Sequence, residues 1–128
     1  MEEFIQALTA EGLTLDIAGG KGVNLGRLIR AGLPVPPGFV INTAAYRLFV
    51  SANDLAAEIE RLSQSSADPA GIEVSSRQIR SLFAAAALPL PLGKAIEQLA
   101  REFGDRPLAV RSSATAEDLP EASFAGQQ

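Results

Sequence analysis

The chain has 128 residues, of which 47% are hydrophobic and 20% charged, and its net charge is −4. These values are typical of a soluble globular protein and argue against disorder, and the scattered basic residues argue against nucleic-acid binding. Because cysteine and histidine are absent, disulfides, thiolate catalysis and the commonest general base are excluded from these residues. The acidic start at Met1 does not resemble a signal peptide, and no apolar run approaches the roughly 20 residues that a membrane span needs. A cytoplasmic protein without membrane contact is expected.

The N-terminal third alternates short apolar segments with glycine. Phe4–Leu8 is apolar, and Leu13–Ile17 favours a strand that leads into a glycine pair. A helix is predicted from Val23, with Gly32 placed to end it. The next apolar residues, Phe39–Ile41, predict a short strand.

Helical periodicity dominates the middle of the chain, where four helices are predicted. Thr43 is the expected cap of the first, and the expected starts of the other three are Asn53 or Asp54, Ser75 or Ser76, and Pro91. Residues 63–71 form the clearest predicted loop, and Gly104 ends the last helix. A buried strand is predicted at Leu108–Val110. The pattern as a whole predicts a helix-rich α+β (mixed α/β) fold without an internal domain boundary.

The segment AGGKGVNLG, residues 18–26, places paired glycines and Lys21 at the start of a helix. Free backbone N–H groups and the helix dipole favour an anion at such a point, and Lys21 could add a positive charge. The segment is not a P-loop, because Gly22 rather than Ser or Thr follows the lysine. The alternative interpretation is a glycine turn with a solvated lysine.

A polar run, RSSATAEDLPEASFAGQQ, follows the predicted C-terminal strand. Arg111 stands at the strand end, where it could bind phosphate oxygens with two donors or pair with a nearby carboxylate. The carboxylates of this run are Glu117, Asp118 and Glu121. They are more typical of a solvated loop than of a metal site, so no metal ligand is predicted. The ASFAGQQ loop could lie over phosphates, or form a turn with Phe124 packed in the core.

Two stretches, residues 19–46 and 108–128, closely resemble the N-terminal nucleotide-binding domain of the phosphoenolpyruvate synthase family. This family is related to pyruvate phosphate dikinase and to the rifampin phosphotransferases. The resemblance implies an ATP-grasp-like domain that binds MgATP. In these enzymes ATP phosphorylates a histidine on a separate domain, and the phosphohistidine then transfers its phosphoryl group to pyruvate or to an antibiotic. By this resemblance Lys21 corresponds to a phosphate-binding lysine and Arg111 to a phosphate-contacting arginine.

The resemblance also implies further nucleotide contacts. The polar run from Ser112 to Thr115, with Ser113 within it, would line the nucleotide cleft, and Gly126 and Gln127 would belong to the loop that covers the terminal phosphates. Residues 1–128 are therefore expected to be part of an ATP-binding domain, cut within its active site, with ATP and Mg²⁺ as cofactors. Catalytic residues, and the site for pyruvate or another phosphoryl acceptor, would lie in domains outside these residues.

Three alternatives stay open at this stage. The sequence of the C-terminal run favours the synthase and antibiotic-phosphotransferase branch, but it does not indicate whether pyruvate or rifampin is the phosphoryl acceptor. A stand-alone half-domain could instead bind nucleotide or regulate without catalysis, and complete its cleft with another chain. A general small α/β domain without a nucleotide role would require both glycine motifs to be coincidental. Under the leading interpretation, the isolated fragment is expected to bind nucleotide weakly at best and to be inactive as an enzyme.

Overall fold

The computed structural model of the chain describes residues 3–65 and 67–115. Within these ranges it contains five helices and two strands, which confirms the predicted helix-rich α+β class. In chain order they are β1 (Ile5–Ala7), α1 (Leu15–Arg30), β2 (Phe39–Ile41), α2 (Thr43–Ala52), α3 (Ala56–Gln64), α4 (Pro69–Ala85) and α5 (Leu90–Phe103). The chain divides into two compact units, residues 1–46 together with 91–128, and residues 47–90.

The first unit is built on an antiparallel pair of strands. Ile5 of β1 lies opposite Ile41 of β2, and Ala7 lies opposite Phe39, so the predicted strand at 39–41 is confirmed. A two-stranded ribbon is marginal in water unless another element covers it. Here α1 contributes to a shared apolar cluster, whose buried members are Leu8, Leu13, Ala18, Val23 and Val40.

The first half of α1 differs from the prediction. The helix begins at Leu15, so the predicted strand over Leu13–Ile17 is wrong. A short apolar run fits a strand or one face of a helix, and here the N–H of Ile17 bonds to the carbonyl of Thr14, which closes a helical turn. Gly19 then breaks the helix with φ 71° and ψ 171°, so that α1 consists of two helical pieces.

The end of α1 confirms the predicted stop at Gly32. This residue has φ +82°, in the left-handed region that glycine enters without steric penalty. The N–H of Gly32 bonds to the carbonyl of Ile29 at 3.0 Å, and the N–H of Leu33 bonds to the carbonyl of Leu28 at 3.1 Å. These two bonds form a Schellman motif, which satisfies carbonyls that a helix end would otherwise leave unpaired.

The cap of α2 is Asn42 and not the predicted Thr43. The Asn42 side chain is buried; its Oδ1 accepts the N–H of Ala45 at 3.1 Å and its Nδ2 donates to the carbonyl of Glu3 at 2.8 Å. Thr43 is the first helical residue, and its hydroxyl donates to the carbonyl of Asp16 at 2.7 Å. The prediction was one residue late because asparagine and threonine are both good capping residues.

In the second unit, α3 begins at Ala56, and neither Asn53 nor Asp54 caps it with a side chain. The Asn53 side chain instead forms hydrogen bonds with the backbone of Phe49 and Ala87. Its Nδ2 donates to the carbonyls of Phe49 and Ala87, each at 2.9 Å, and its Oδ1 accepts the N–H of Ala87 at 3.1 Å. The side chain thus joins the end of α2 to the segment that follows α4.

The helix α4 begins at Pro69, earlier than the predicted Ser75 or Ser76, and shortens the predicted loop over 63–71. Proline is compatible with a first helical turn, because its missing N–H would have no helical partner there. The Ser75 hydroxyl lies 2.8 Å from that of Ser65, which joins α4 to the end of α3.

On the surface of α3, a hydrogen bond from Arg61 lowers the pKa of the Glu58 carboxyl; such an exposed pair adds little to stability.

The last helix of the described residues confirms its prediction. Pro91 lies in the first turn of α5, and the helix ends at Phe103 before Gly104. The Phe103 ring packs edge-on against that of Phe39, with 5.8 Å between centroids, and thus joins α5 to β2. No single helix of residues 3–65 and 67–115 is long and apolar enough to cross a membrane.

The predicted strand at Leu108–Val110 is not formed in the described part of the chain. Leu108 is 53% exposed and Val110 is 93% exposed. An extended segment becomes a strand only when its N–H and C=O groups pair with a neighbour. The sheet formed by the described residues contains β1 and β2 alone. The apolar sequence of residues 108–110 is typical of a buried strand, but it does not determine which strand these residues would pair with.

Candidate functional site

Residues 112–114 contact α1 at its break and bring together two segments that are distant in sequence. The Nζ of Lys21 donates to the carbonyl of Ser112 at 3.2 Å, across a separation of 91 positions. The N–H of Gly20 donates to the carbonyl of Ala114 at 2.9 Å. Two predicted site residues, Lys21 and Ser112, are therefore neighbours.

The hydroxyl of Ser113 bridges the break itself. It accepts the N–H of Gly22 at 3.2 Å and donates to the carbonyl of Ala18 at 2.7 Å. In an uninterrupted helix, the N–H of Gly22 would bond directly to the carbonyl of Ala18 four residues earlier. The Ser113 hydroxyl thus lies between two groups that a regular helix pairs. Insertion of a side chain into this ladder is one of the known causes of helix kinks.

Gly19 provides the room for this approach. A Cβ atom at position 19 would lie 2.9 Å from the carbonyl carbon of Ser113 and 3.0 Å from the nitrogen of Ala114. Its backbone angles also fall in a region that is almost restricted to glycine. The close approach of residues 112–114 therefore requires glycine at position 19, whether or not a ligand binds.

Two N–H groups of residues 18–26, the segment in which free donors for an anion are expected, are bonded within the chain. The N–H of Gly20 is bonded to Ala114, and that of Gly22 is bonded to Ser113. These are the donors that a helix N-terminus would otherwise offer to a phosphate. What Lys21 itself presents at this point is its side-chain ammonium, whose hydrogen bond to the carbonyl of Ser112 is exposed to solvent.

The other predicted site residues fall into two groups. Arg111 and Thr115 lie on either side of residues 112–114, and both are exposed. Gly126 and Gln127 lie outside the described residues, as do Glu117, Asp118, Glu121 and Phe124. The structure thus places Lys21 beside the segment that carries Arg111, Ser112 and Thr115.

Ser113 is predicted only as part of the run Ser112–Thr115 that would line the nucleotide cleft, and not as a contact of α1. It stands in a run of small polar residues and carries no signal that separates it from its neighbours. Its partners, Ala18 and Gly22, lie more than 90 positions away in the chain. Only the fold reveals that this hydroxyl faces α1.

Other features of the described residues do not add to this site. In residues 3–65 and 67–115, no group of three or more acidic side chains converges that could hold a metal ion. Two open depressions of about 430 and 490 Å³ lie within the second unit. Residues of α3 and α4 supply most of their lining, and none of the predicted site residues contributes to it.

Comparison with known proteins decides the family. Residues 15–128 match the family model described as pyruvate phosphate dikinase, AMP/ATP-binding domain. The chain belongs to this family. The part of the chain that matches the AMP/ATP-binding domain includes Lys21 and all of the run from Arg111 to Gln128.

Sequence identities to individual proteins are consistent with this family. The phosphoenolpyruvate synthase of Aeropyrum pernix is 46% identical over 123 residues, which cover 89% of this chain and 15% of the relative. That of Deinococcus radiodurans is 43% identical, over 89% of this chain and 16% of the relative. The rifampicin phosphotransferase of Streptomyces sviceus is 47% identical, over 88% of this chain and 13% of the relative. The chain thus spans a small part of the length of these relatives. No solved structure matches it.

Proposed function

We propose that this chain is the ATP-binding part of a phosphoenolpyruvate synthase-type phosphotransferase. The reaction converts ATP, pyruvate and water to phosphoenolpyruvate, AMP and phosphate through a phosphohistidine outside these residues. The observation that carries the proposal is the contact between Lys21 and Ser112, because it joins the glycine-rich segment to the arginine-bearing run within one family match. The ATP-grasp-like architecture of the complete domain is part of the same proposal.

In this proposal, side chains on the two segments neutralise the charge of the ATP phosphates. Lys21 would supply a point charge, and Arg111 a planar fork that suits phosphate oxygens. Phosphoryl transfer depends mainly on position and charge stabilisation, and these are the contributions that such residues can make. Ser112 and Thr115 would line the cleft, and Gly126 and Gln127 would cover the terminal phosphates.

Magnesium is proposed only as the ion that accompanies ATP. The described residues offer no convergent acidic group for it, and a nucleotide-bound Mg²⁺ commonly takes most of its ligands from phosphates and water. No described residue is therefore assigned to the metal. Pyruvate would bind through parts of the protein outside these residues, and a cytoplasmic location is the setting proposed for this reaction.

A second candidate is the ATP-binding part of a rifampicin phosphotransferase. The 47% identity to the Streptomyces sviceus enzyme favours it. The two candidates share the ATP site and differ in the acceptor, so assays of the intact natural protein with pyruvate and with rifampicin separate them. A non-catalytic half-domain would instead be found in cells at the 13.4 kDa mass of this chain, and an antibody against the chain would reveal it.

The ATP site is tested by calorimetric titration of the intact protein with ATP. Lys21→Ala and Arg111→Ala are each expected to weaken ATP binding by about 10- to 100-fold, because a hydrogen bond to a charged group contributes about 1.5–3 kcal/mol. Lys94→Ala is the matched control: this exposed lysine of α5 is expected to leave the affinity unchanged. Equal affinities for the three variants would contradict the site assignment.

A further inference from the structure

We infer that Ser113 is a positioning residue of the ATP site, one that fixes Lys21 relative to Arg111 by bridging the break in α1. The inference rests on the proposed ATP-binding function and deepens it. It assigns to Ser113 a role toward α1 rather than toward the nucleotide.

Both neighbours of Lys21 are held by the segment that follows Arg111. The N–H of Gly20 bonds to the carbonyl of Ala114, and the N–H of Gly22 bonds to the hydroxyl of Ser113. These bonds fix the backbone before and after Lys21, and the Lys21 ammonium itself bonds to the carbonyl of Ser112. The position of Lys21 is therefore set by residues 112–114, the same segment that continues from Arg111.

Among residues 112–114, Ser113 is the one that contacts α1 through its side chain. Ser112 and Ala114 contribute carbonyl oxygens, which remain after any side-chain substitution. A serine hydroxyl has one proton to donate, and in Ser113 that proton is donated to the carbonyl of Ala18. Because the hydroxyl also accepts from Gly22, it faces α1. It has no proton left for a nucleotide, which fits a positioning role.

Removal of the hydroxyl would release the break in α1. The carbonyl of Ala18 and the N–H of Gly22 would then pair with each other or with water, and either change moves residues 20–22 relative to Arg111. Two cations that act on the phosphates of one ATP molecule are sensitive to such movement; in catalysis, a misplacement of 1 Å can reduce the rate by about 10²-fold. We expect a smaller loss here, about 10-fold in ATP affinity, because Lys21 keeps its flexible side chain.

The test measures dissociation constants for ATP and for adenosine in the intact protein, well below its unfolding temperature. Ser113→Ala is expected to weaken ATP binding about 10-fold and to leave adenosine binding unchanged, because adenosine has no phosphate for Lys21 to contact. Ser113→Thr keeps the hydroxyl and is expected to retain more affinity than Ser113→Ala. Ser76→Ala, at an exposed position of α4, is the control and should match the unsubstituted protein.

A double substitution distinguishes positioning from general damage. If Ser113 acts through Lys21, then Ser113→Ala added to Lys21→Ala should weaken ATP binding no further. A full additional loss in the double variant, an equal loss of adenosine binding, or an unchanged ATP affinity of Ser113→Ala would each overturn the inference. Failure of the unsubstituted protein to bind ATP would overturn the proposed function itself, which is a separate outcome.

Discussion

The backbone of Ser113 lies against the Cα of Gly19 so closely that a Cβ atom there would be 2.9 Å from the Ser113 carbonyl carbon. Real Cβ atoms do not approach backbone atoms to this distance, and backbone cannot move aside as the end of a flexible side chain can. Position 19 therefore combines two constraints, a left-handed φ and a lack of space. The two constraints can be separated by experiment.

Gly19→Ala is expected to lower the free energy of unfolding by more than Gly32→Ala. Both glycines have positive φ, but no described residue comes within 4 Å of a Cβ placed on Gly32. The conformational penalty is about 1–3 kcal/mol at a strained position, and Gly32→Ala should show about 1 kcal/mol of it. Gly19→Ala adds the steric conflict with residues 112–114. Urea unfolding of the two variants measures the difference, and equal losses would mean that these residues move away without penalty.

Asn42→Ala is expected to destabilise the protein by about 2 kcal/mol, because it removes the cap of α2 and leaves the carbonyl of Glu3 without this donor. Asn42→Asp keeps the acceptor for Ala45 and should recover the capping share. Asn24→Ala is the control, since among the described residues that side chain accepts a single long bond, of 3.4 Å, from Arg27. Thermal unfolding measures the order of stability of the three variants. An unfolding midpoint of Asn42→Ala equal to that of Asn24→Ala would contradict the prediction.

Val110→Ser is expected to change the stability of the 128-residue chain by less than about 0.5 kcal/mol, because Val110 is 93% exposed. In the intact protein we expect a larger loss, since the apolar run at Leu108–Val110 has the composition of a buried strand and would gain a partner there. Hydrogen exchange of residues 108–110 provides the direct measurement. Equal exchange rates in the short chain and the intact protein would rule out the added strand.

Local signals made part of the fold predictable. Gly32 and Gly104 end helices, and Pro91 marks the first turn of α5; each acts on its immediate neighbours. Prediction was less accurate where two local solutions have similar energies. The apolar run at Leu13–Ile17 fits a helix face as well as a strand, and Asn42 competes with Thr43 as a cap.

The candidate site could be predicted as a set of residues but not as an arrangement. Lys21 and Arg111 stand in recognisable segments, so their chemistry is visible in the sequence. The bonds from Ser113 to Ala18 and Gly22 are not visible, because no periodicity or spacing relates residues so far apart. The same limit applies to Leu108–Val110, whose apolar sequence does not specify a pairing partner.

The sequence separation of these bonds also imposes an order on biosynthesis. Gly22 leaves the ribosome 91 residues ahead of Ser113. At about 5–20 residues per second, that interval lasts roughly 5 to 18 s. Throughout it, the carbonyl of Ala18 and the N–H of Gly22 are available to each other, and nothing bridges the break between the two pieces of α1. An element made early in translation thus acquires its final shape only after a much later segment has been added to the chain.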